Sequence, residues 1–346
     1  MLGRRVLIFF LIILLLSCLA QNQKEITKEK KVKKEENKTI KIEPNETKKE
    51  KFGEEEIPPI TLIKVSEFKA KEYISGIASI NNYTAIASWD DHVYLLKDDT
   101  LQWKFKTKGS ANAVAISKNY IVATSYLIPN GVLYLLDYKG NVMWNKTMPE
   151  LCSGLDINED GNMIVVGCRD GNVYAYSLEG EPLWKFSVAK SAWGVWDVVI
   201  KDNKIAIASD DTFVYLLNKE GEMLWKASQG RKSYLYAVDL FNDSIAVASQ
   251  DKMLYYYQNQ KLKWKFMTSF SNSDVAFSQD GSYIALTSLD KNLYILDKKG
   301  KLLQKIYLDE EVTAVAFSEE RVIVGLKNGG VIFFVAKGDK NEVEKK

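Results

Sequence analysis

Tryptophan recurs along this chain at a regular interval. The spacings are 41, 40, 41 and 39 residues, and Gln304 occupies the next place, for the set Trp103, Trp144, Trp184, Trp225 and Trp264. An apolar run recurs at the same period, as "VYLL" at 93, "LYLL" at 133, "VYAY" at 173, "VYLL" at 214, "LYYY" at 254, "LYIL" at 293 and "VIFF" at 331. Seven runs at one period indicate seven copies of a single structural unit.

Each unit contains short β-branched and aromatic runs separated by Gly, Asp and Asn, which is typical of a four-stranded propeller blade. In the third unit the runs are "LCSGLDI" (151–157), "MIVVGC", "NVYAYS" and "PLWKFSV", from the inner strand outward. Such strands can be apolar on both sides because each blade packs between two neighbours. The sequence therefore predicts an all-β fold, a seven-bladed β-propeller of four-stranded antiparallel blades, over residues 60–338.

An Asp or Asn stands three residues before each apolar run, namely Asp90, Asn130, Asp170, Asp211, Asp251, Asp290 and Asn328. These places fall in the turn between the second and third strands. An Asx side chain accepts hydrogen bonds from backbone N–H groups in such turns and tolerates unusual φ values. We therefore expect the column to hold turns rather than a ligand.

The two ends of the array predict how the ring closes. The last unit supplies only three runs, "VTAVAFS", "RVIVGL" and "GVIFFVA". The segment "ITLIKVSEF" (60–68) resembles an outer strand and has no three strands before it. We expect this N-terminal strand to complete the seventh blade, which would remove an open sheet edge.

The unit resembles the repeat of pyrroloquinoline-quinone-like propellers. There a Gly- or Ser-rich second strand, an Asp-Gly turn, a Leu-Tyr-Ala-Leu third strand and a Gly-x-x-x-Trp outer strand follow one another, and "VVGCRDGNVYAYSLEGEPLWKF" matches nearly in full. WD-repeat propellers are similar in fold, but their Gly-His and Trp-Asp dipeptides are missing. The resemblance implies a propeller, and propellers host unrelated functions.

The quinoprotein enzymes of that family use eight blades, a calcium site and a vicinal cysteine pair. This sequence has seven units and no Cys-Cys. Its sole histidine, His92, falls in a turn, so no His-based triad or multi-His metal site can be assembled. We therefore expect no enzymatic activity and no organic cofactor.

Residues 1–20 are organised as a secretory signal or a membrane anchor. Arg4 and Arg5 precede eleven apolar residues, 6–16, which is short for a membrane span. "LLSC" at 15–18 resembles a lipoprotein signal box, which implies that Cys18 is lipidated and becomes the mature N-terminus. Ordinary cleavage near Ala20 and an uncleaved anchor are the alternatives, and all three export the propeller.

Residues 21–59 carry eleven Lys and ten Glu with hardly an aromatic residue. Such a composition buries too little apolar surface to offset its ordering entropy, so it predicts a disordered tether. A disordered tail is predicted at 339–346. Glu is interleaved with Lys and the net charge of the chain is +2, which argues against nucleic acid or anionic lipid as the ligand of these lysines.

Cys152 and Cys168 fall in the inner and second strands of the third blade. If the hairpin turns through "EDG" (159–161), counting outward places the two cysteines opposite each other, at a Cα separation of about 4.5–5.5 Å, which a disulfide can span. A bridge is reasonable in an exported protein. The alternative is two small core residues, because Ser holds the place of Cys168 in most blades.

Three acidic residues, Asp156, Asp197 and Asp239, occupy similar places on consecutive inner strands. We expect them to line one side of the central channel. Carboxylate oxygens suit Ca²⁺, which makes this a candidate calcium site. Hydrogen bonding to channel water or loop backbone is the alternative.

One face of the predicted ring carries the loops from each outer strand to the next inner strand, together with the second-to-third-strand turns. We call it the loop face, and it collects Trp89, Arg169, Trp193, Arg231, Tyr234 and Phe270. Aromatic residues and Arg are enriched at protein interfaces. We therefore expect a monomeric scaffold, anchored to the outer face of a membrane, that binds an envelope or membrane protein through this face. That organisation resembles the outer-membrane assembly lipoproteins of this repeat family. The alternative is a small-ligand or glycan binder with its site at the channel mouth.

Overall fold

The structure, a computed structural model, describes residues 60–188, 194–229, 234–319 and 321–336. These residues form 28 strands in seven four-stranded antiparallel sheets, and no helix occurs among them. The predicted seven-bladed β-propeller is confirmed. The predicted signal segment with Cys18, the tether at 21–59 and the tail at 339–346 lie outside the described residues.

The strands follow the repeat, each blade running from the inner to the outer strand. The first blade is β2 (Ile74–Ile80), β3 (Tyr83–Ser88), β4 (His92–Lys97) and β5 (Thr100–Lys106). The second is β6 (Ser110–Ile116), β7 (Tyr120–Leu127), β8 (Asn130–Asp137) and β9 (Val142–Met148). The third is β10 (Cys152–Ile157), β11 (Met163–Cys168), β12 (Asn172–Ser177) and β13 (Pro182–Ser187). The fourth is β14 (Val195–Lys201), β15 (Lys204–Ser209), β16 (Phe213–Asn218) and β17 (Met223–Ser228).

The fifth blade is β18 (Leu235–Phe241), β19 (Ser244–Ser249), β20 (Met253–Gln258) and β21 (Lys261–Met267). The sixth is β22 (Asn272–Phe277), β23 (Tyr283–Ser288), β24 (Asn292–Asp297) and β25 (Leu302–Tyr307). The seventh is β26 (Val312–Ser318), β27 (Arg321–Leu326), β28 (Gly330–Ala336) and β1 (Leu62–Lys69). β1 pairs antiparallel with β28, so that Leu62 lies opposite Ala336 and Lys69 opposite Gly330.

The hydrophobic core lies between the blades. It divides into seven clusters, and each cluster draws its side chains from two adjacent blades. Between the third and fourth blades, for example, Val165 packs with Val198 and Ile207. Both faces of the middle strands are therefore buried, which explains why the sequence runs are apolar without strict alternation.

The Asx column holds the turns between the second and third strands, as predicted. The Oδ1 atoms of Asp170, Asp211, Asp251 and Asp290 each accept a hydrogen bond from the backbone N–H two residues later. The Oδ2 atom of the same Asp accepts the hydroxyl of a tyrosine on the third strand, as Asp251 does from Tyr255 at 2.6 Å. One carboxylate thus fixes both the turn and a buried aromatic ring.

Four of the five recurring tryptophans bond their outer strand to the next blade. The indole N–H of Trp184 donates to the carbonyl of Lys219 at 2.7 Å, and the indoles of Trp103, Trp144 and Trp264 make the equivalent bond at 2.9, 2.7 and 3.1 Å. Each ring lies against the glycine of the turn between the third and fourth strands of that next blade, namely Gly140, Gly180, Gly221 and Gly300.

Other contacts replace the tryptophan on both sides of the seventh blade. Gln304 of the sixth blade exchanges two hydrogen bonds with the backbone of Leu62, at 2.7 and 3.3 Å. Ser66 of β1 donates to Asp99 of the first blade, and both oxygens of that carboxylate also accept from Nη2 of Arg321, at 2.5 and 2.6 Å. β1 therefore bonds to the sixth, seventh and first blades.

The glycines under the tryptophan rings allow a direct test of this contact. Gly221 and Gly180 both have positive φ, 84° and 82°, but a Cβ at Gly221 would lie 2.6 Å from the Trp184 ring, whereas one at Gly180 would lie 3.3 Å from the Trp144 ring. Both alanine variants carry the left-handed backbone cost of roughly 1–2 kcal/mol. We expect Gly221→Ala to melt several degrees below Gly180→Ala because only Gly221→Ala displaces the ring. Equal melting temperatures would show that the ring contact contributes nothing.

Cys152 lies opposite Cys168 in the ladder of β10 and β11, and a disulfide joins them across a sequence separation of 16 residues. Both residues are fully buried. Closing a loop of this length in the unfolded chain is worth about 3 kcal/mol. We expect the double variant Cys152→Ala, Cys168→Ser to lose most of that stability in chemical denaturation. Ser occupies the position of Cys168 in other blades. A loss of stability near zero would therefore mean that a hydrogen bond from the introduced serine compensates for the missing disulfide.

Candidate ligand site at the channel mouth

The inner strands of all seven blades line one central cavity of about 840 Å³. At the loop face its mouth is bordered by aromatic side chains and one cation, namely Tyr73, Trp89, Tyr126, Arg169, Trp196 and Tyr236. This volume is within the range of ligand pockets, about 300–1,000 Å³. The inner strands of all seven blades therefore enclose a cavity that is large enough to hold a small ligand.

Every inner strand begins with a β-bulge. The register against the second strand shifts directly after the first paired residue in six blades and after the second paired residue, Ala111, in the second blade. The extra residue lines the cavity in each case, and the set is Ser75, Asn112, Ser153, Trp196, Tyr236, Ser273 and Thr313. A bulge re-aims a side chain, and here it turns one residue per blade toward the channel.

In five blades this bulge residue is small and polar, and it ties its blade to the next. Ser75 donates to the carbonyl of Ala111 at 2.8 Å, and Thr313 donates to that of Ile74 at 2.6 Å across the junction of the seventh and first blades. Asn112, Ser153 and Ser273 make the same bond at 3.0, 3.3 and 2.5 Å. The bulge residue is therefore structural in most of the ring.

The fourth and fifth blades depart from this rule, because their bulge residues are Trp196 and Tyr236. The two rings meet edge to face at 5.2 Å. The indole N–H of Trp196 donates to Asp210, and the guanidinium of Arg169 lies over the indole, 4.5 Å from the ring centroid. Burial raises the pKa of Asp210, although the bond from Trp196 and the charge of Arg169 act in the opposite direction. In these two blades, the hydrogen bond from the bulge residue to the next blade is thus replaced by a cluster of aromatic and charged side chains.

Gly194 makes room for this cluster. A Cβ at Gly194 would lie 3.2 Å from both Cα and Cγ of Arg169, closer than nearly all real contacts. Its carbonyl accepts the backbone N–H of Asp210 at 3.0 Å, which holds the segment beside the turn. The stem of Arg169 therefore lies close against the backbone of Gly194, and a Cβ there would require the stem to shift by a few tenths of an ångström.

Below the mouth, four carboxylates form a second set of blade ties. Each accepts the backbone N–H of its own next residue and an N–H from the inner strand of the following blade. The partners on the following blade are Ile200 for Asp156, Val238 for Asp197, Phe277 for Asp239 and Val315 for Asp274, at 2.7–2.9 Å. The nearest cation is Lys201, whose Nζ lies 2.6 Å from Asp239.

These carboxylates are poorly solvated and lie close to one another. Burial raises the pKa of Asp156 and of Asp274 from 3.8 to about 7, against the backbone hydrogen bonds that lower it. Burial raises the pKa of Asp197 strongly as well, and the charges of Asp274 and Asp156 raise it further. The group thus carries less than its full formal negative charge near neutral pH.

The calcium site considered for Asp156, Asp197 and Asp239 does not match this arrangement. In the described parts of the chain, no group of three or more His, Cys, Asp or Glu side chains is placed to hold a metal ion. Their carboxylate oxygens face backbone N–H donors on two adjacent strands instead. Backbone hydrogen bonding describes their use, although the donors lie on the inner strands and not in loops as the alternative expected. Asp274, which the sequence reasoning missed, belongs to the same set.

The other predicted loop-face residues are spread around the mouth. Trp89 is 47% exposed and stacks on Tyr73 at 4.4 Å, and Phe270 is 53% exposed with Lys252 5.9 Å from its ring centroid. Tyr234 is half-buried, whereas Trp193 and Arg231 fall outside the described residues. Sequence reasoning missed Trp196, Tyr236 and Tyr73, although Trp196 and Tyr236 stand where other units carry a small polar residue.

No protein-family model matches this chain, and no curated protein matches it either. Within the described ranges, the chain contains no helix of sufficient length and hydrophobicity to traverse a bilayer.

Proposed function

We propose that this protein is exported, tethered to the outer face of a membrane by its N-terminal segment, and acts as a non-catalytic scaffold that binds an envelope or membrane protein through the loop face. The observation that carries the proposal is the exposed set of anchoring residues on that face. Trp89, Phe270 and Arg169 are exposed there, and Ile128 of the second blade is 78% exposed. Aromatic and Arg side chains of this kind supply most of the energy in protein interfaces.

The proposal is tested by partner capture with the full chain. We expect the double variant Trp89→Ala, Phe270→Ala to lose a crosslinked protein partner in envelope extracts while its melting temperature stays close to that of the wild type, because both side chains are exposed. Leu183→Ala, Met223→Ala is the matched control, since these outer-strand residues are 49% and 50% exposed. Equal loss in both variants would contradict a role specific to the loop face.

A small-ligand or glycan binder is the second candidate, and the cavity of about 840 Å³ favours it. In that case the loop-face variants would capture protein as well as the wild type does. A ligand would instead protect the chain against thermal unfolding, and the protection would depend on residues lining the cavity.

A further inference from the structure

We propose that Arg169, held against Trp196 at the channel mouth, anchors a carboxylate group presented by the binding partner. This inference deepens the scaffold function proposed above and rests on it. The carboxylate comes either from an acidic side chain or from a free C-terminus of the partner, because both present the same planar pair of oxygens.

The guanidinium of Arg169 has hydrogen-bonding capacity that the described residues do not use. The residue is exposed at the cavity mouth, and its guanidinium carries five N–H donors. Within the described ranges, no oxygen accepts a hydrogen bond from this group and no carboxylate forms an ion pair with it, in contrast to Arg321, which is bonded to Asp99. As far as the described residues go, the N–H donors of Arg169 are therefore available to bind a ligand.

The side chain of Arg169 is also held in place before a ligand binds. The indole face supports the guanidinium from one side, and the hydrogen bond to Asp210 fixes the indole itself. Gly194 packs against the stem of Arg169. An arginine held in this way loses less side-chain freedom on binding than one free in solvent, so more of the interaction energy appears as affinity.

The blades that contribute Trp196 and Tyr236 depart from the repeat at this site. Five blades use the bulge residue to bond the next blade, and the fourth and fifth blades give up that bond for Trp196 and Tyr236. Positions that break a local structural rule are commonly functional. Because the Trp196 ring supports Arg169, this departure and the unpaired cation belong to one site.

The charge of the channel selects among anions. Asp197 follows Trp196 directly, and Asp156, Asp239 and Asp274 line the same cavity. A doubly charged phosphate would meet about twice the repulsion that a carboxylate meets at the same distance. A carboxylate also matches the fork of an arginine with two parallel hydrogen bonds. The site therefore fits a singly charged carboxylate.

The test titrates the full chain with four small probes and follows the indole N–H resonance of Trp196. N-acetylalanine supplies a terminal carboxylate, N-acetylglutamate N-methylamide a side-chain carboxylate, N-acetylglutamine N-methylamide a neutral match, and inorganic phosphate the competing anion. We expect saturable shifts with at least one carboxylate, and the tighter of the two identifies the source. The proposal is overturned if the neutral probe binds equally well, if phosphate binds more tightly than both carboxylates, or if no carboxylate saturates.

Variants link the binding to the site. We expect Arg169→Lys, which keeps the charge but loses the fork, and Gly194→Ala, which displaces the stem, each to weaken carboxylate binding about tenfold, the scale of a lost charge-assisted hydrogen bond. Lys252→Gln removes another loop-face cation and should leave binding unchanged. Unchanged affinity in both site variants would sink the assignment. If the Trp89 and Phe270 variants still abolish partner capture while Arg169→Lys does not, the scaffold function stands and only this anchor fails.

Discussion

Deleting residues 60–69 is expected to lower the melting temperature of the propeller by more than about 10 °C. The deletion removes β1, which pairs with β28 and contributes Leu62 and Phe68 to two inter-blade clusters. Each such side chain contributes roughly 1.5–3 kcal/mol through burial. The deletion also removes the hydrogen bonds that β1 makes with Gln304 of the sixth blade and with Asp99 of the first blade. At about 2–4 °C per kcal/mol, the two side chains together account for about 6–24 °C, and the lost pairing with β28 adds to this.

A circular permutant separates the missing strand from the shortened chain. Moving residues 60–69 behind Ala336 through a short turn should restore most of the stability, because Leu62 already lies opposite Ala336. Deleting residues 21–59 is the length control and should leave the unfolding transition near that of the full chain. A truncated chain without β1 that melts at the original temperature would refute the role assigned to this strand.

The repeat made the fold predictable because its signals are local and numerous. A blade needs four short apolar runs and turn residues at fixed offsets, and seven copies average out local departures. Counting outward from the turn predicted the opposition of Cys152 and Cys168 correctly, but the hairpin register behind the count was off by one residue. Ile157 pairs with Ile164, and the bulge at Ser153 then brings the two cysteines opposite each other.

The channel was harder to predict because it depends on single-residue shifts. Asp156 and Asp239 pair with Val165 and Ala246, four residues into their strands, whereas Asp197 and Asp274 lie two residues in. The predicted set of three therefore mixed two offsets, because it included Asp197, and it left out Asp274, which shares the offset of Asp197. The length of the repeat also cannot reveal a bulge. An extra residue lengthens the repeat by one, whether it lies in a strand or in a turn.

The contact between Arg169 and Trp196 could not be predicted from the sequence. The sequence placed Arg169 on the loop face by its position in a turn, but its partner Trp196 stands 27 positions later on the next blade. Nothing local to either residue indicates that they meet. Their contact depends on the packing of adjacent blades and on the space left by Gly194.

Stability is expected to fall as the pH rises from about 5 to 8, because the channel carboxyls bind protons more tightly in the folded state than in the unfolded state. Burial raises the pKa of Asp156 and Asp274 from 3.8 to about 7. Their contribution is complete below pH 3.8 and is lost as the pH rises through about 7. Within that window each group changes the free energy of unfolding by at most about 1.4 kcal/mol per pH unit.

Melting temperatures of Asp156→Asn and Asp274→Asn between pH 5 and 8 test this expectation. Both variants should be less stable than the wild type at pH 5, because the new amide NH₂ faces a backbone N–H that the carboxyl oxygen accepted. Both should also show a flatter pH profile, since a titrating group is gone. Asp137→Asn is the control, because hydrogen bonding to Asn141 lowers the pKa of this exposed carboxyl and its linkage lies below pH 4. If both channel variants keep the wild-type dependence of melting temperature on pH, then groups other than Asp156 and Asp274 take up the protons on folding.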